Sequence, residues 1–158
     1  MIREGLAAYR ATGAALNCPY FLANLAHACG RADHCEEGLA AVAEAITLVE
    51  RTEERYQEAK LYQLKGELTL KQLSVLSSHS TVQQRAEECF RKSIEIAHRQ
   101  EAKSFELSAV MSLSRLWQEQ DKKAEARAML AEIYAWFTEG FETADLKDAK
   151  ALLDELDS

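Results

Sequence analysis

The side chains best equipped for chemistry gather early in the chain, where His27, Cys29, His34 and Cys35 fall within nine residues. Imidazole and thiolate are zinc ligands, so a metal site has to be weighed. The spacing straddles a turn between two helical patterns, and both cysteines fall at positions whose periodicity marks buried side chains. A small apolar thiol packed in a core accounts for them, and no metal site is assigned. Cys29 and His27 do not make a nucleophile pair either, because residues two apart on a helix point away from one another. The adjacent acids Glu53/Glu54 and Glu87/Glu88 read as solvated helix surface, since general acid and base work needs a pocket. Trp117, Trp136 and Phe137 could stack on a ligand. Trp117, however, takes a core position, and the Trp136/Phe137 pair near Gly140 is expected to fix a last helix to the body. The reading is of a chain with no enzyme activity and no cofactor.

Composition bounds the elements that carry these residues. The chain has 158 residues, 47% of them hydrophobic, with a single proline and six glycines, which suits helices joined by short turns better than sheet. It has no run of 18 apolar residues, and MIREGLAAYR lacks the apolar centre of a secretory signal. A cytoplasmic address is expected, with no membrane association and with the four cysteines reduced. Residues 139 to 158 hold seven acids and two lysines, a net of -5, so residues 1 to 138 carry only -2 of the total -7. Without a basic stripe to neutralise phosphates, nucleic acid is not an expected partner.

An internal repeat organises the chain. EGLAAY at Glu4 to Tyr9 recurs as EGLAAV at Glu37 to Val42, 33 residues on. A small residue followed by larger or apolar ones four and seven later appears as Gly5/Tyr9/Thr12, Gly38/Val42/Ala45, Ala86/Phe90/Ser93 and Ala126/Leu130/Ile133. A partner pattern precedes three of these, at Leu25/Ala26/Cys29, around Leu64, Gly66 and Thr69, and at Leu113/Ser114/Trp117. Positions i, i+4 and i+7 share one helix face, and a small residue there lets a paired helix come close. Ala26 to Gly38 and Ser114 to Ala126 both span 12 residues, whereas Gly66 to Ala86 spans 20, about eight more. Gly38 to Gly66 and Ala86 to Ser114 span 28, so the underlying period is 12 plus 28, or 40.

The spacing predicts one all-α domain over 1–158, with helices near 2–16, 19–31, 35–51, 54–73, 82–100, 102–119, 122–138 and 143–156. These group as a half repeat (1–16), hairpins at 18–51, 54–100 and 102–138, and a cap helix at 143–156. The extra residues form an insertion near 73–81 with a serine-rich centre at Ser77 to Thr81. Asn17 and Pro19 suit a helix start, Asp33 with Glu36 a cap for the third helix, and Thr143 with Asp145 the start of the last.

The repeat resembles the tetratricopeptide family over nearly the whole chain, with a period longer than that family's usual one of about 34 residues and hence helices longer than its standard ones. That resemblance implies a right-handed superhelical solenoid of antiparallel helix hairpins. EGLAAVAEAITLVERTEER and WFTEGFETADLKDAKALLDEL are similar to the C-terminal helical arrays of large bacterial signalling proteins that carry a nucleotide-cyclase or NTPase module. By that likeness the chain would be a regulatory or partner-binding tail, a scaffold for a protein or peptide. The family's inner face, carried over position by position, would fall on Tyr20, Ala23, Asn24 and His27, then Lys60, Gln63 and Glu67, then Ser108, Met111, Arg115 and Gln118. The asparagine and lysine set with which some members clamp a chaperone's terminal carboxylate is not reproduced, because Ala23 and His27 stand at two of its positions. Two alternatives remain: a homodimer formed through the uncovered face of the first helix around Leu6 and Tyr9, and a small-ligand sensor in the groove.

Overall fold

A computed structural model describes residues 1–12, 17–73 and 79–158, leaving aside the side chains of Ile2, Arg3, Leu6, Arg10, Leu73 and His79. Among the described residues every regular element is helical: α1 (Ile2–Ala11), α2 (Cys18–Arg31), α3 (Cys35–Thr52), α4 (Glu58–Leu73), α5 (His79–Arg99), α6 (Lys103–Glu119), α7 (Lys123–Trp136) and α8 (Ala144–Asp157). None of these helices is long and apolar enough to cross a membrane. The stretch read as the start of the fourth helix holds a 3-10 turn at Arg55–Gln57, and α5 begins at His79 rather than at 82. Residues 13–16 of the first predicted helix and 74–78 of the predicted insertion lie outside the described residues.

Each helix packs against the next along the chain. Beyond these neighbours, α2 touches α4, α4 touches α6 and α6 touches α8, while among the described residues α1, α3, α5 and α7 make no such contacts with one another. The even-numbered helices therefore form a continuous row, with the odd-numbered ones set apart on their flank. The core follows that row. Leu22, Ala26, Val42, Ala45, Leu64 and Leu68 make one cluster, and Leu107, Val110, Leu130, Ala149 and Leu152 another, with Phe90, Leu113 and Leu116 between them.

The repeat positions supply the seams of this core. Gly38, Val42 and Ala45 are buried, as are Ala86, Phe90 and Ser93, and Ala126, Leu130 and Ile133. A methyl group on Gly38 would lie 3.0 Å from Leu68 Cδ1 and 3.3 Å from the Ala26 carbonyl, and one on Gly66 would lie 2.6 Å from Phe90 Cε1. The absent Cβ atoms are what allow α3 to approach α2 and α4, and α5 to approach α4. The first copy departs from this: Gly5 and Thr12 are exposed and Tyr9 is half-buried, because among the described residues α1 touches α2 alone. Nothing lies within 4 Å of a Cβ built on Gly5.

The turns repeat as well. Asp33, Glu53, Glu101 and Asp121 all have left-handed backbone, with φ between 55° and 60°. After three of them the next N–H reaches back across the helix end: His34 donates to Cys29 O, Ala102 to Ala97 O and Lys122 to Trp117 O, each at 2.9 Å. Such closures satisfy carbonyls that a helix terminus would otherwise orphan. Asp33 precedes Gly38 by the same five residues that separate Asp121 from Ala126, and Glu53 follows Gly38 by the same 15 that separate Glu101 from Ala86. The geometry corrects one expectation. Asp33 does not cap α3, whose preceding residue is His34 with no side-chain cap bond, because the three-residue turn forces Asp33 into the left-handed region instead of the extended one a cap requires. Asn17 likewise has left-handed backbone and makes no cap bond, although Pro19 does sit in the first turn of α2. Thr143 precedes α8, but its hydroxyl donates to Gly140 O at 2.7 Å and makes no cap bond to the helix.

Two stability outcomes follow. Gly66→Ala is expected to cost about 1–3 kcal/mol by overpacking against Phe90, despite alanine's better helix propensity, and adding Phe90→Leu should recover part of the loss in a double-mutant denaturation cycle. Glu101→Gly relieves left-handed strain and is expected to raise stability by roughly 0.5–1 kcal/mol in urea unfolding, whereas Glu101→Ala, which keeps a Cβ, gives no such gain.

Candidate functional site

Tyr20, Asn24, His27 and Arg31 recur at helical spacing, so α2 presents them on one face. That face and α1 enclose a groove of about 990 Å³, lined by Met1, Glu4, Gly5, Tyr9, Tyr20, Phe21, Asn24, His27, Ala28 and Arg31. Tyr9 and Tyr20 both meet Phe21 edge to face, with ring centroids 5.4 and 5.6 Å away. The groove thus combines aromatic walls with amide, imidazole, carboxylate and guanidinium groups. A second hollow of about 590 Å³, with Leu25, Cys29 and His34 in its wall, lies beside α1. Of the two residues proposed for self-association, Tyr9 lines the larger groove, while the Leu6 side chain lies outside the described ones.

The middle group is tied into a network between α4 and α6. Gln63 Nε2 donates to Glu67 Oε1 at 3.0 Å, to Ser108 Oγ at 2.9 Å and to Ser112 Oγ at 3.0 Å. Lys60 Nζ donates to Gln63 Oε1 at 3.2 Å, and Ser112 Oγ donates to Glu67 Oε1 at 2.9 Å. Gln63 is only 3% exposed and fully engaged, so it joins two helices and offers no free group to a partner. Met111 is buried as well, in the cluster shared by α6, α7 and α8. Lys60, Glu67 and Gln118 are half-buried and Arg115 is exposed.

Cys29 is buried, Cys35 packs half-buried against the first core cluster, and His34 lies exposed 3.9 Å from a Glu37 carboxylate oxygen. The four residues that opened the metal question are thus divided among core, groove and surface. Among the described residues no group of three or more His, Cys, Asp or Glu side chains is placed to hold a metal ion.

One constellation is not legible in the linear sequence. A cavity of about 500 Å³ opens between α5 and α7, over the first turns of α6. Ile94, Val110, Met129 and Ile133 make its apolar wall, and Glu132 and Trp136 stand in its lining. Glu106, 8% exposed, accepts a hydrogen bond from Lys103 Nζ at 2.7 Å and lies 3.1 Å from His98 Nδ1. Lys103 Nζ is also 5.8 Å from the centre of the Trp136 ring. Trp136 itself is 58% exposed. The expectation that both aromatics fix the last helix is corrected here: Phe137 packs on the cluster containing α8's leucines, while Trp136 faces out beside the cavity. The signal in the sequence was a difference between repeat copies, which a search for similarity passes over.

No protein-family model matches the chain and no curated protein is significantly similar to it.

Gln63→Leu keeps the volume and removes the network's hub. It is expected to cost about 1–3 kcal/mol, because Glu67 and Ser108 lose partners at a partly buried seam; an unchanged chemical-denaturation midpoint would show that the network adds nothing to stability.

Proposed function

We propose that this chain is a tetratricopeptide-type solenoid, a right-handed stack of antiparallel hairpins closed by α8, and that it binds an extended or helical segment of another protein. The observation that carries the reading is the α1/α2 groove: the aromatic and polar residues that family likeness assigned to a binding face, Tyr20, Asn24 and His27, line one open hollow with Tyr9 and Phe21. The row α2, α4, α6, α8 supports it, because a superhelical array exposes the first helix of each hairpin along one inner surface, where Lys60, Glu67, Arg115 and Gln118 extend the contact. A peptide laid there places aromatic anchors at the groove and polar groups along the row. On this reading the chain does no chemistry itself and works in the cytoplasm, as the regulatory tail of a larger bacterial signalling protein.

The test is selection of peptides from a random display library on the full chain, followed by affinity measurement of the enriched sequences. Tyr20→Ala is expected to weaken them by about tenfold or more, as loss of an aromatic anchor does, with the melting temperature unchanged. Arg115→Glu should alter the charge preference of the selected peptides. Selection that enriches nothing, or peptides indifferent to both substitutions, would remove the reading.

A further inference from the structure

The repeat lets one part of the molecule serve as a reference for another. Gly38 corresponds to Ala86 and Gly66 to Ser114 at an offset of 48, and Ala86 to Ala126 at 40. The left-handed residues Glu53 and Glu101 hold the same 48 in the structure. By these offsets the α5/α7 cavity has a counterpart between α3 and α5, which among the described residues also do not touch, over the first turns of α4. Glu106 and Lys103 correspond to Glu58 and Arg55, and the likeness extends to geometry. Glu58 is 8% exposed, as Glu106 is, and it too takes the cation three residues back, Arg55 Nη1 at 3.3 Å.

The two gaps differ at the positions that decide what fills them. In the first, Lys92 of α5 lays its ammonium over the Tyr62 ring, 4.4 Å from the centroid. The Tyr62 side chain above all, and then the Glu58 and Glu50 carboxylates, hold the Lys92 ammonium above its ordinary pKa. The first gap thus balances two carboxylates, Glu50 and Glu58, with two cations, Arg55 and Lys92. In the second gap the counterpart of Lys92 is Glu132, that of Glu50 is His98, and that of Tyr62 is Val110. There, Glu106 takes Lys103 at 2.7 Å and lies 3.1 Å from His98 Nδ1, while Glu132 stands in the lining where the first gap has its lysine. Where the first copy carries its own lysine, the second has a cavity of about 500 Å³, the Glu132 carboxylate in its lining and an exposed indole.

We propose that the α5/α7 cavity is a socket for a lysine side chain of a partner polypeptide, its methylenes on Ile94, Val110 and Met129 and its ammonium among Glu106, Glu132 and the Trp136 ring. The chemistry matches the occupant in each part. An aliphatic stem buries against apolar wall while its charged head stays at the rim, and an ammonium is attracted both to carboxylates and to the face of an indole. Lys103 Nζ already lies 2.7 Å from Glu106 and 5.8 Å from the centre of the Trp136 ring, so the incoming ammonium sits beside it on the Glu132 side, as Lys92 and Arg55 share the first gap. The acidic residues that follow at Glu139, Glu142 and Asp145 add attraction for a basic segment, which speeds encounter more than it deepens affinity. The site lies apart from the α1/α2 groove and stands whether or not that groove binds.

The probe is a short acetylated and amidated peptide, Ala-Leu-Lys-Leu-Ala, titrated into the isotope-labelled full chain and followed by methyl and indole NMR. Saturable shifts are expected at Ile94, Met129, Ile133 and Trp136, with dissociation on the order of millimolar for so small a contact. The same peptide with norleucine for lysine should bind about tenfold more weakly or worse. Glu132→Lys should fill the socket from within, as Lys92 does, abolishing the shifts while the rest of the spectrum is retained. Glu132→Gln, which adds no bulk, should weaken binding should the lysine variant fail to fold. Equal binding of the norleucine peptide, unaltered binding by Glu132→Gln, or no saturable shift up to about 10 mM peptide would overturn the proposal. A concentration-dependent mass of the protein alone that Glu132→Lys abolishes would overturn the assignment to a separate partner, placing a lysine of a second copy in the socket.

Discussion

Backbone contact at a few small residues sets the distances from which the other packing follows. At Gly66 the α4 backbone meets the flat ring of Phe90, and at Gly38 the α3 backbone meets Leu68 and the Ala26 carbonyl. Protein interiors are packed to crystal-like density, so an added methyl at such a point cannot be absorbed by empty space. Leu68 is part of both the Gly30 and the Gly38 contact, which couples α2, α3 and α4 through one side chain. The same close approach brings α4 within reach of α6, where Gln63 can bridge to Ser108 and Ser112. A wider spacing would leave those polar groups without each other and replace a satisfied seam with buried, unpaired ones.

The helical organisation was legible because its cause is local. Small residues at fixed intervals and apolar residues on one face are properties of the chain read in order, and the structure buries those positions from Gly38 to Ile133. Turn chemistry was legible in place but not in kind. Asp33 lies at the expected junction, yet its side chain suggested a cap, while its backbone conformation is imposed by how few residues join α2 to α3. Burial of groove residues was the harder inference. Gln63 and Arg115 look alike as polar residues on helix faces, and only the position of α6 against α4 decides that one is enclosed and the other exposed. Trp136 illustrates the converse: its place beside Phe137 suggested a contact with the last helix, but the structure leaves it exposed at a rim.

Repetition makes departures informative. In a chain of equivalent units the background at each position is supplied by the other copies, so a change of charge at an otherwise matching site has a meaning that a lone glutamate on a helix lacks. Glu58 and Glu106 keep the same burial and the same cation three residues back, which marks that pair as part of the frame. Against this constant frame, lysine at 92 and glutamate at 132 stand out as a difference in what each gap contains.

The two ends of the array are unequal, and this bears on how the α1/α2 groove can work. At the far end α8 buries Leu146, Ala149, Leu152 and Leu156 against α6 and α7. Its ion pair with Arg127, through Asp157, is about half exposed and contributes little beside that apolar contact. At the near end, among the described residues, α1 touches α2 alone, leaves Gly5, Ala7 and Ala8 exposed, and has hollows on two sides. The groove has one wall in α2, backed by α3 and α4, and one in α1, whose contacts among the described residues are with α2; local opening costs least where few contacts must be broken. On the binding reading proposed above, a wall held through one neighbour can be repositioned to fit an occupant, and ordering it on binding would subtract from affinity. Under the function proposed above, selectivity in the groove resides on the α2 side, with Tyr20, Phe21, Asn24 and His27.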